Sequence, residues 1–508
     1  MYSPWYTSYV YGKTIHDRYA AFFILRRKKN GRCGLQQERM KNMKRTLIKN
    51  ADWIITMDEK RTRYQNGYIL IEDNVIRDLG SGVPADVTAD EVIDASGKVI
   101  IPGMVNTHHH CYQSLVRNIH VANGLPLQPW LVVVYDIFQE VTDESTRCGA
   151  ICGLGDLLKT GCTTSNDHHY VHPKGQKKLI DVEIQAARDL GIRFQPTRGS
   201  LTVGFSQGSS HCPDSLVESV DDIMADCERL VKTYHDRSRF AMTRIDIAPC
   251  WPTFEVPEIL TASADFVEKY DVNCHGHLAE STYEFNLCHE RYGCTPVEYY
   301  DRFGILGKNY YYAHCVHLTD SDVKRMVETG TGIAHCPNAN MFLNDGAARV
   351  PELYKMGARV GIGVDGTASN NSSNMMAELR NAYLMHRLVW GADAPTAEQI
   401  LELATVGGAK VLGRDDIGHL APDMAADLVF MDWDQMQYAG GRNDPVASIV
   451  LSGDPRMVDS VMVNGEIVVK KGKLLLINEE EYNQRIHAES KRMLTIASER
   501  QPKLVQDL

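Results

Sequence analysis

Eight short apolar segments recur through the middle of the chain, and polar residues follow nearly every one of them. They are KVIIPGMVNTHHH, GCTTSNDHHY, IRFQPTRGS, IDIAPCWP, VNCHGHLAES, YYYAHCVH, TGIAHCPNAN and RVGIGVDGTAS. Amphipathic stretches long enough to form a helix separate these segments. Eight strand–helix units in one run are the pattern of a (β/α)8 barrel, whose active sites form at the carboxyl ends of the strands. The sequence therefore predicts an α/β fold with a TIM-like barrel and a polar site at one end.

Two further regions, on either side of the barrel segments, have the pattern of short antiparallel strands with tight turns such as Asn464-Gly465. Neither region alone has enough strands to cover its apolar face. We therefore expect both flanks to build one small β-sandwich domain beside the barrel. The predicted division is residues 43–100 plus 415–476 for the β domain, 101–414 for the barrel and 477–508 for a C-terminal helical tail.

The first 42 residues differ from the rest of the chain because they show no apolar periodicity. Their one apolar patch precedes the basic run Arg26–Lys29, whereas a secretory signal has its basic residues first. Clean strand patterning begins at Met43. We expect residues 1–42 to lie outside the folded unit, with Met43 as the natural start.

The composition argues against several kinds of partner. The formal net charge is −11, whereas a surface that binds nucleic acid is basic. No apolar run approaches the roughly 20 residues of a membrane span. The 13 cysteines form no Cys-x-x-Cys pair, which is typical of reduced thiols in a cytoplasm. We expect a cytoplasmic homo-oligomer that acts on a small molecule.

The strand ends carry the residues of a candidate metal site. Side chains two apart on a strand point the same way, so His108 and His110 share a side. Two buried imidazoles side by side are costly unless a cation binds their lone pairs, although one His-x-His pair alone is equally typical of a structural role. Histidines with a carboxylate form a divalent site of the zinc kind, with a position left for water. Further candidates at later strand ends are His275, His277, Glu280, His314 and Asp365.

These motifs resemble those of the amidohydrolase superfamily, from Met43 to about Leu476. The matching text is NTHHH, HLAE, AHCVH and VDGTASNN, with GHLAPDMAADLV and VMVNG in the flanks. The chain is most similar to the branch of deaminases and chlorohydrolases that includes 8-oxoguanine deaminase, guanine deaminase and the triazine hydrolases. The resemblance implies one divalent metal, zinc or alternatively iron, because strand 4 lacks the lysine of two-metal relatives. The implied metal ligands are His108, His110, His277 and Asp365.

The resemblance also implies catalytic roles for Glu280, His314 and Asp365. Asp365 would accept a proton from the attacking water, Glu280 would protonate the ring, and His314 would polarise the attacking or leaving group. Each residue also has an ordinary structural interpretation. Glu280 suits a helix cap, His314 a core histidine bonded to backbone, and Asp365 a turn before glycine.

Three more residues are candidates for substrate binding. Gln113 offers a donor and an acceptor that suit a lactam edge, or it starts a helix in solvent. Trp130 either stacks on a flat ring or packs in the core. Arg198 either meets an anionic or carbonyl edge or forms a salt bridge. His168 and His169 are expected behind the metal ligands.

The implied reaction is hydrolytic deamination of an oxidised purine, most simply 8-oxoguanine to urate and ammonia. The strand-4 text APCWPTF lacks the arginine of guanine deaminase, which favours 8-oxoguanine over guanine. Alternatives with the same metal and base are an s-triazine as substrate, losing amine or chloride, or a pterin, isocytosine or guanine. A non-catalytic barrel is the rival class, and the complete set of ligand and acid–base residues argues against it.

Overall fold

The computed structural model describes residues 43–505, so the expectation for residues 1–42 falls outside the described residues. Parallel and antiparallel strands alternate with helices along this part of the chain. The strands are β1 Arg45–Ile55, β2 Arg63–Glu72, β3 Val75–Ser81, β4 Glu91–Asp94, β5 Lys98–Pro102, β6 Met104–Asn106, β7 Cys162–His169, β8 Arg193–Ser200, β9 Asp246–Pro249, β10 His277–Leu278, β11 Tyr311–His314, β12 Gly332–His335, β13 Val360–Ile362, β14 Leu428–Asp432, β15 Val458–Val463, β16 Glu466–Lys470 and β17 Lys473–Leu474.

Helices connect and cover these strands. Capping side chains accept hydrogen bonds from the first backbone N–H groups of several barrel helices. Before the helix that begins at Asp143, for example, the Thr142 side chain accepts from Ser145 N. The α-helices of six or more residues are α1 Leu127–Phe138, α2 Asp143–Lys159, α3 Leu179–Leu190, α4 Val220–Tyr234, α5 Pro257–Tyr270, α6 Thr282–Tyr292, α7 Pro296–Arg302, α8 Asp320–Thr329, α9 Pro337–Phe342, α10 Val350–Lys355, α11 Met375–Trp390, α12 Ala397–Glu402 and α13 Glu479–Arg500. Among residues 43–505, none of the helices is long and apolar enough to cross a membrane.

The strands β6 to β13 form the predicted TIM-like barrel from two parallel four-stranded sheets, β6-β7-β8-β9 and β10-β11-β12-β13. Backbone hydrogen bonds join the two halves on both sides. His277 N donates to Cys250 O at 3.0 Å on one side, and Thr107 N donates to Ile362 O at 3.0 Å on the other. Strands such as β7 are buried along their whole length, because helices cover the outside of a parallel barrel and side chains fill its interior.

The two flanks meet in one nine-stranded sheet, in the order β17-β16-β15-β14-β5-β1-β2-β3, with β4 added beside β1. The junction is the antiparallel pair of β5 and β14, where Ile100 faces Phe430 and Ile101 faces Val429. Alternation along β5 places Ile100 in the sheet's own apolar core and Ile101 in the barrel core. The flanks therefore come together as expected, while their two-layer sandwich arrangement and the domain limits stay predictions.

The C-terminal helix α13 lies across the barrel beside α1. Met493, Leu494 and Ala497 are buried in the same apolar cluster as Trp130 of α1. At the far end of α13, Arg500 donates to Asp136 of α1 at 2.7 Å. The tail is thus a packed helix over Glu479–Arg500.

A buried ion pair connects the barrel to the nine-stranded sheet. Arg193, at the start of β8, donates to both carboxylate oxygens of Asp427 at 3.1 Å. It also donates to the carbonyls of Phe240 and Ala241 at 2.7 and 2.9 Å. Asp427, directly before β14, accepts a further bond from Asn464 N at 2.7 Å. Both side chains are buried, so each charge depends on the other.

Replacing Arg193 by alanine leaves the Asp427 carboxylate buried without its cation. We expect the free energy of unfolding to fall by about 3–5 kcal/mol, as for a broken buried pair, measured by urea denaturation. The control is Arg325→Ala, which removes a partly exposed pair with Asp301 at 2.7 Å and should cost about 0–1 kcal/mol. Equal losses in the two variants would contradict this account.

Candidate active site

The candidate metal ligands come together at the carboxyl end of the barrel. His108 and His110 follow β6, His277 lies in β10, and Asp365 follows β13. All four side chains are buried. The closing hydrogen bonds of the barrel fix their relative positions, since Asp365 N donates to His108 O at 3.0 Å.

A chain of hydrogen bonds determines which nitrogen of His108 carries the proton. His275 Nδ1 lies 2.9 Å from Tyr311 O, and because a carbonyl only accepts, that nitrogen must donate. His275 Nε2 is then an acceptor, and His108 Nδ1 donates to it at 2.7 Å. His108 Nε2 therefore keeps a bare lone pair, and it has no hydrogen-bond partner among the described residues.

The same reasoning applies to the other two histidines. His110 Nδ1 donates to His168 O at 2.7 Å, and His277 Nδ1 donates to Cys250 O at 3.0 Å. Both rings are thereby left with a lone pair on Nε2. These two Nε2 atoms lie 3.2 Å apart, and two acceptors at that distance repel unless a cation lies between them.

The donor set fits a single divalent metal ion. The ligand nitrogens of His108, His110 and His277 all lie within 4.8 Å of one another. Asp365 Oδ1 lies 3.3 Å from His108 Nε2 and 3.2 Å from His110 Nε2. Three imidazole nitrogens and one carboxylate oxygen are the ligands of a zinc-type centre with one position left for water. Second interactions on each Nδ1 are also typical of metal-binding histidines.

The charges at the site suit metal binding. Burial holds the pKa of His108 and His277 well below the ordinary value of histidine. Burial raises the pKa of Asp365, but the adjacent rings of His108 and His110 outweigh this effect and hold the pKa well below its usual range. Neutral imidazoles and an ionised carboxylate are the forms that ligate a metal.

Glu280 and His314 face the same cavity. His314 Nδ1 bonds to Asn340 Oδ1 at 2.8 Å, while its Nε2 lies 3.4 Å from Glu280 Oε1. Burial, with the nearby charges of Asp345 and Asp365, raises the pKa of Glu280 well above its ordinary value. This shift favours the protonated form of Glu280, which can donate a proton into the cavity.

The Glu280 side chain does not cap a helix. The cap of α6 is Ser281, whose hydroxyl accepts from Glu284 N at 3.3 Å. Glu284 in turn accepts from the backbone N–H groups of Ala279 and Glu280 at 3.0 and 2.9 Å. The local backbone is therefore satisfied without the carboxyl group of Glu280, which leaves that group for the cavity.

Three strand ends at the cavity have left-handed backbone. The φ angles are 50° at Ala279, 69° at His314 and 61° at Asp365. Residues other than glycine take this conformation at a cost of about 1–3 kcal/mol, and such residues concentrate at functional sites. These turns in the backbone direct the side chains of Glu280, His314 and Asp365 into the same cavity.

A narrow cavity of about 340 Å³ lies in front of the ligands. The sequence-based candidates Gln113 and Trp130 both line it, and Gln113 Oε1 has no hydrogen-bond partner among the described residues. Several other lining residues were not predicted as site residues, because separate loops and helices bring them in. They are Leu127, Leu131, Tyr135, Tyr170, Cys250, Trp251, Leu343 and Ser369.

Arg198 is not among the residues that line this cavity. Its guanidinium donates to Glu218 at 2.8 Å and to Asp226 of α4 at 2.9 Å. Side chains alternate along β8, and Thr197 faces the barrel interior, where it accepts from Asn166. Arg198 consequently points outward to the helices, where it forms salt bridges. The substrate interpretation of Arg198 is not supported.

His168 and His169 lie behind the ligands. The His168 ring is fully buried with its centroid 5.0 Å from that of His277. His169 bonds to Glu183 at 2.7 Å and to Val171 O at 2.9 Å. Neither residue lines the cavity.

Comparison with known proteins adds the family. Residues 99–468 match the model of the amidohydrolase family. The chain belongs to this family. It is 41% identical over 425 residues to 8-oxoguanine deaminase of Pseudomonas aeruginosa, which covers 83% of this chain and 93% of that protein. It is 34% identical over 453 residues to hydroxydechloroatrazine ethylaminohydrolase of Pseudomonas sp. strain ADP, covering 86% of this chain and 94% of that protein.

A solved amidohydrolase structure has the same fold. The atrazine chlorohydrolase of Arthrobacter aurescens TC1, complexed with zinc, matches with a TM-score of 0.83 at 29% identity. The match covers 88% of this chain and all of that one, 100%. The resemblance seen in the sequence motifs and the barrel fold are both confirmed.

Removing the acceptor behind His108 should weaken metal binding. In His275→Ala the proton on His108 Nδ1 loses its partner, so the ring is no longer held with Nε2 toward the metal position. We expect metal affinity to fall by about 10- to 100-fold, measured by competition with a chelator. His275→Gln, which retains an acceptor, should lose less. Unchanged affinity in His275→Ala would contradict the assignment.

Proposed function

We propose that the protein is a metal-dependent hydrolytic deaminase of a flat, amine-bearing heterocycle, and that 8-oxoguanine, converted to urate and ammonia, is its substrate. The observation that carries the proposal is the convergence of three imidazole lone pairs and the Asp365 carboxylate beside the buried Glu280 carboxyl group. These groups face an aromatic-lined cavity. Zinc is the proposed metal, with iron as the alternative.

The metal ion and the acid–base residues have separate roles in the proposed hydrolysis. A divalent ion held by His108, His110, His277 and Asp365 supplies Lewis-acid activation of water at neutral pH. Asp365 accepts a proton from the attacking water, and its second oxygen is held by Ser369 Oγ at 2.8 Å. The oxygen adds to the ring carbon that bears the amine.

Glu280 supplies the proton that the ring needs. Its neutral carboxyl group donates to the ring nitrogen next to the attacked carbon, so that negative charge does not build up there. Asp365 then passes the proton taken from water to the amine, which departs as ammonia. The remaining proton of the added hydroxyl group returns to Glu280 as the ring carbonyl forms. His314, with Nε2 toward the cavity, stabilises the attacking oxygen. Acid–base catalysis of this kind contributes about 10²- to 10⁴-fold.

The cavity walls support a flat lactam as substrate. Gln113 presents a free amide oxygen and an amide N–H group, which together pair with a ring N–H and a carbonyl. The rings of Trp130 and Trp251 offer apolar faces for a planar guest. The identity of 41% with an 8-oxoguanine deaminase favours this purine. No arginine is present in the APCWPTF segment of strand 4, which argues against guanine.

An s-triazine is the second candidate substrate. The similarity to hydroxydechloroatrazine ethylaminohydrolase, at 34% identity, favours it, as does the fold match to atrazine chlorohydrolase. The same attack would release an alkylamine or chloride instead of ammonia. A small-molecule substrate also agrees with the net charge of −11, which disfavours nucleic acid. A homo-oligomeric state and a cytoplasmic location stay predictions.

The test is a panel of substrates with metal-analysed enzyme. We expect ammonia release to be fastest with 8-oxoguanine, compared with guanine, isocytosine, pterins and hydroxytriazines, because the Gln113 amide and the aromatic walls match an oxidised purine. Faster release of amine or chloride from a triazine would replace the proposed substrate with the second candidate. No turnover of any ring by metal-loaded enzyme would contradict deamination altogether.

The same assay, applied to a variant of Glu280, separates catalysis from metal binding. Glu280→Gln removes the proton donor but is isosteric, so turnover should fall by about 10²-fold or more at unchanged metal content. Glu268→Gln, an exposed glutamate of α5, is the matched control and should retain full activity. Normal turnover in Glu280→Gln would refute the role of Glu280 as the acid.

A further inference from the structure

A second cavity lies at the opposite end of the barrel from the metal ligands. It measures about 970 Å³, and we call it the basal cavity. Most of its lining residues lie at or shortly before the starts of barrel strands, at the amino ends of those strands. They are Gln195, His235, Arg237, Arg244, Asp246, Asp271, Val272, Asn273, Lys308, Asn309, Arg359 and Gly413.

The basal cavity is positively charged, although the chain as a whole is acidic with a net charge of −11. Its lining includes three arginines and a lysine, against two aspartates. Arg237 and Asp271 lie 3.6 Å apart and offset each other. Among residues 43–505, no carboxylate lies within ion-pair distance of Arg244, Lys308 or Arg359. None of these three cations is thus held in a direct ion pair.

The remaining aspartate is already committed to the barrel interior. Asp246 accepts from Gln195 at 3.1 and 2.9 Å, and from the hydroxyl of Tyr311 at 2.9 Å. Burial raises its pKa to about 7, so its negative charge is only partly present at neutral pH. Asp246 therefore bonds to neutral donors and forms no direct ion pair with the cations of the basal cavity.

The side chain of Arg244 lines the basal cavity and makes a single hydrogen bond among the described residues. One of its terminal nitrogens donates to Gly413 O at 3.2 Å, while its Nε is buried and has no hydrogen-bond partner among the described residues. Burial, together with the nearby charge of Arg414, lowers the pKa of the Arg244 guanidinium.

Arg359 contributes charge without an acid of its own. It donates to the carbonyls of Gly330, Lys410 and Tyr310 at 2.8, 3.0 and 3.2 Å, and these contacts hold it at the start of β13. Lys308, from the segment before β11, is exposed and adds a mobile cation at the rim. The positions of Arg359 and Arg244 are thus set by backbone contacts.

We propose that the basal cavity binds a small anion that carries a phosphate group. A guanidinium presents parallel N–H donors that match two oxygens of a phosphate, and a dianion offsets the excess of cations around the cavity. A free phosphate ion and a phosphorylated metabolite share this chemistry. The site is separate from the metal centre, because the two cavities share no lining residue.

The experiment titrates inorganic phosphate and, separately, adenosine monophosphate into metal-loaded protein by calorimetry, with chloride keeping the ionic strength constant. We expect one phosphate group bound per chain. Arg244→Gln should weaken binding by about tenfold or more, the loss of a hydrogen bond to a charged group, and Lys308→Gln should weaken it by less. Tighter binding of adenosine monophosphate than of phosphate would support a phosphorylated metabolite as ligand, and equal binding would support the phosphate group alone.

The controls separate this site from the metal and from general charge effects. Lys324→Gln removes an exposed lysine of α8 that pairs with Glu328, and it should bind phosphate like the unmodified protein. Lys308 is exposed, so its replacement tests the proposal even if Arg244→Gln fails to fold. Equal affinity in the unmodified protein and both cavity variants would place the phosphate at the metal and overturn the proposal. Absence of binding above the chloride background would overturn it as well.

Discussion

The metal site of this protein depends on the mutual repulsion of three imidazole lone pairs. His108, His110 and His277 each use Nδ1 as a donor to a fixed acceptor, and each is left with an exposed lone pair on Nε2. Two of these nitrogens are 3.2 Å apart, in a region from which water is largely excluded. Such an arrangement is unfavourable on its own and favourable around a cation. The acceptors behind the rings are backbone carbonyls and His275, so the barrel backbone itself sets the direction of the ligands.

The interior of the barrel connects its two ends. Below the metal ligands, His275 stacks on Tyr311 with ring centroids 4.2 Å apart, and the Tyr311 hydroxyl donates to Asp246 in the basal cavity at 2.9 Å. A continuous column of buried polar side chains therefore runs from His108 to Asp246. Buried polar networks are stable only when their members are satisfied, which explains why this column contains so many paired groups.

Much of the fold could be predicted from the sequence because its signals are local. The repeated strand segments and the polar residues at their ends predict the barrel, and the turn at Asn464-Gly465 predicts antiparallel pairing in the flanks. The His-x-His spacing predicts that His108 and His110 share one side. Both residues lie just after β6 rather than within it. The sheet formed by the flanks depends on contacts such as that of Ile101 with Val429, which distant parts of the chain supply.

The rest of the site depends on tertiary packing. Tyr170, Trp251 and Leu343 come from three different connections, and nothing in their local patterns shows that they converge on one cavity. The position of Arg198 at a strand end leaves both a substrate contact and a salt bridge open. The alternation along β8, where Thr197 takes the inward side, decides for the salt bridge. The proton positions on His108 and His275 also follow only from the three-dimensional contacts.

The most direct test of the metal centre is elemental analysis combined with X-ray absorption on purified, active protein. The account predicts about one zinc or iron ion per chain, surrounded by imidazole nitrogens and carboxylate oxygen at the distances usual for such a centre. Full activity in protein that contains no transition metal, or a metal bound through cysteine sulfur, would contradict it.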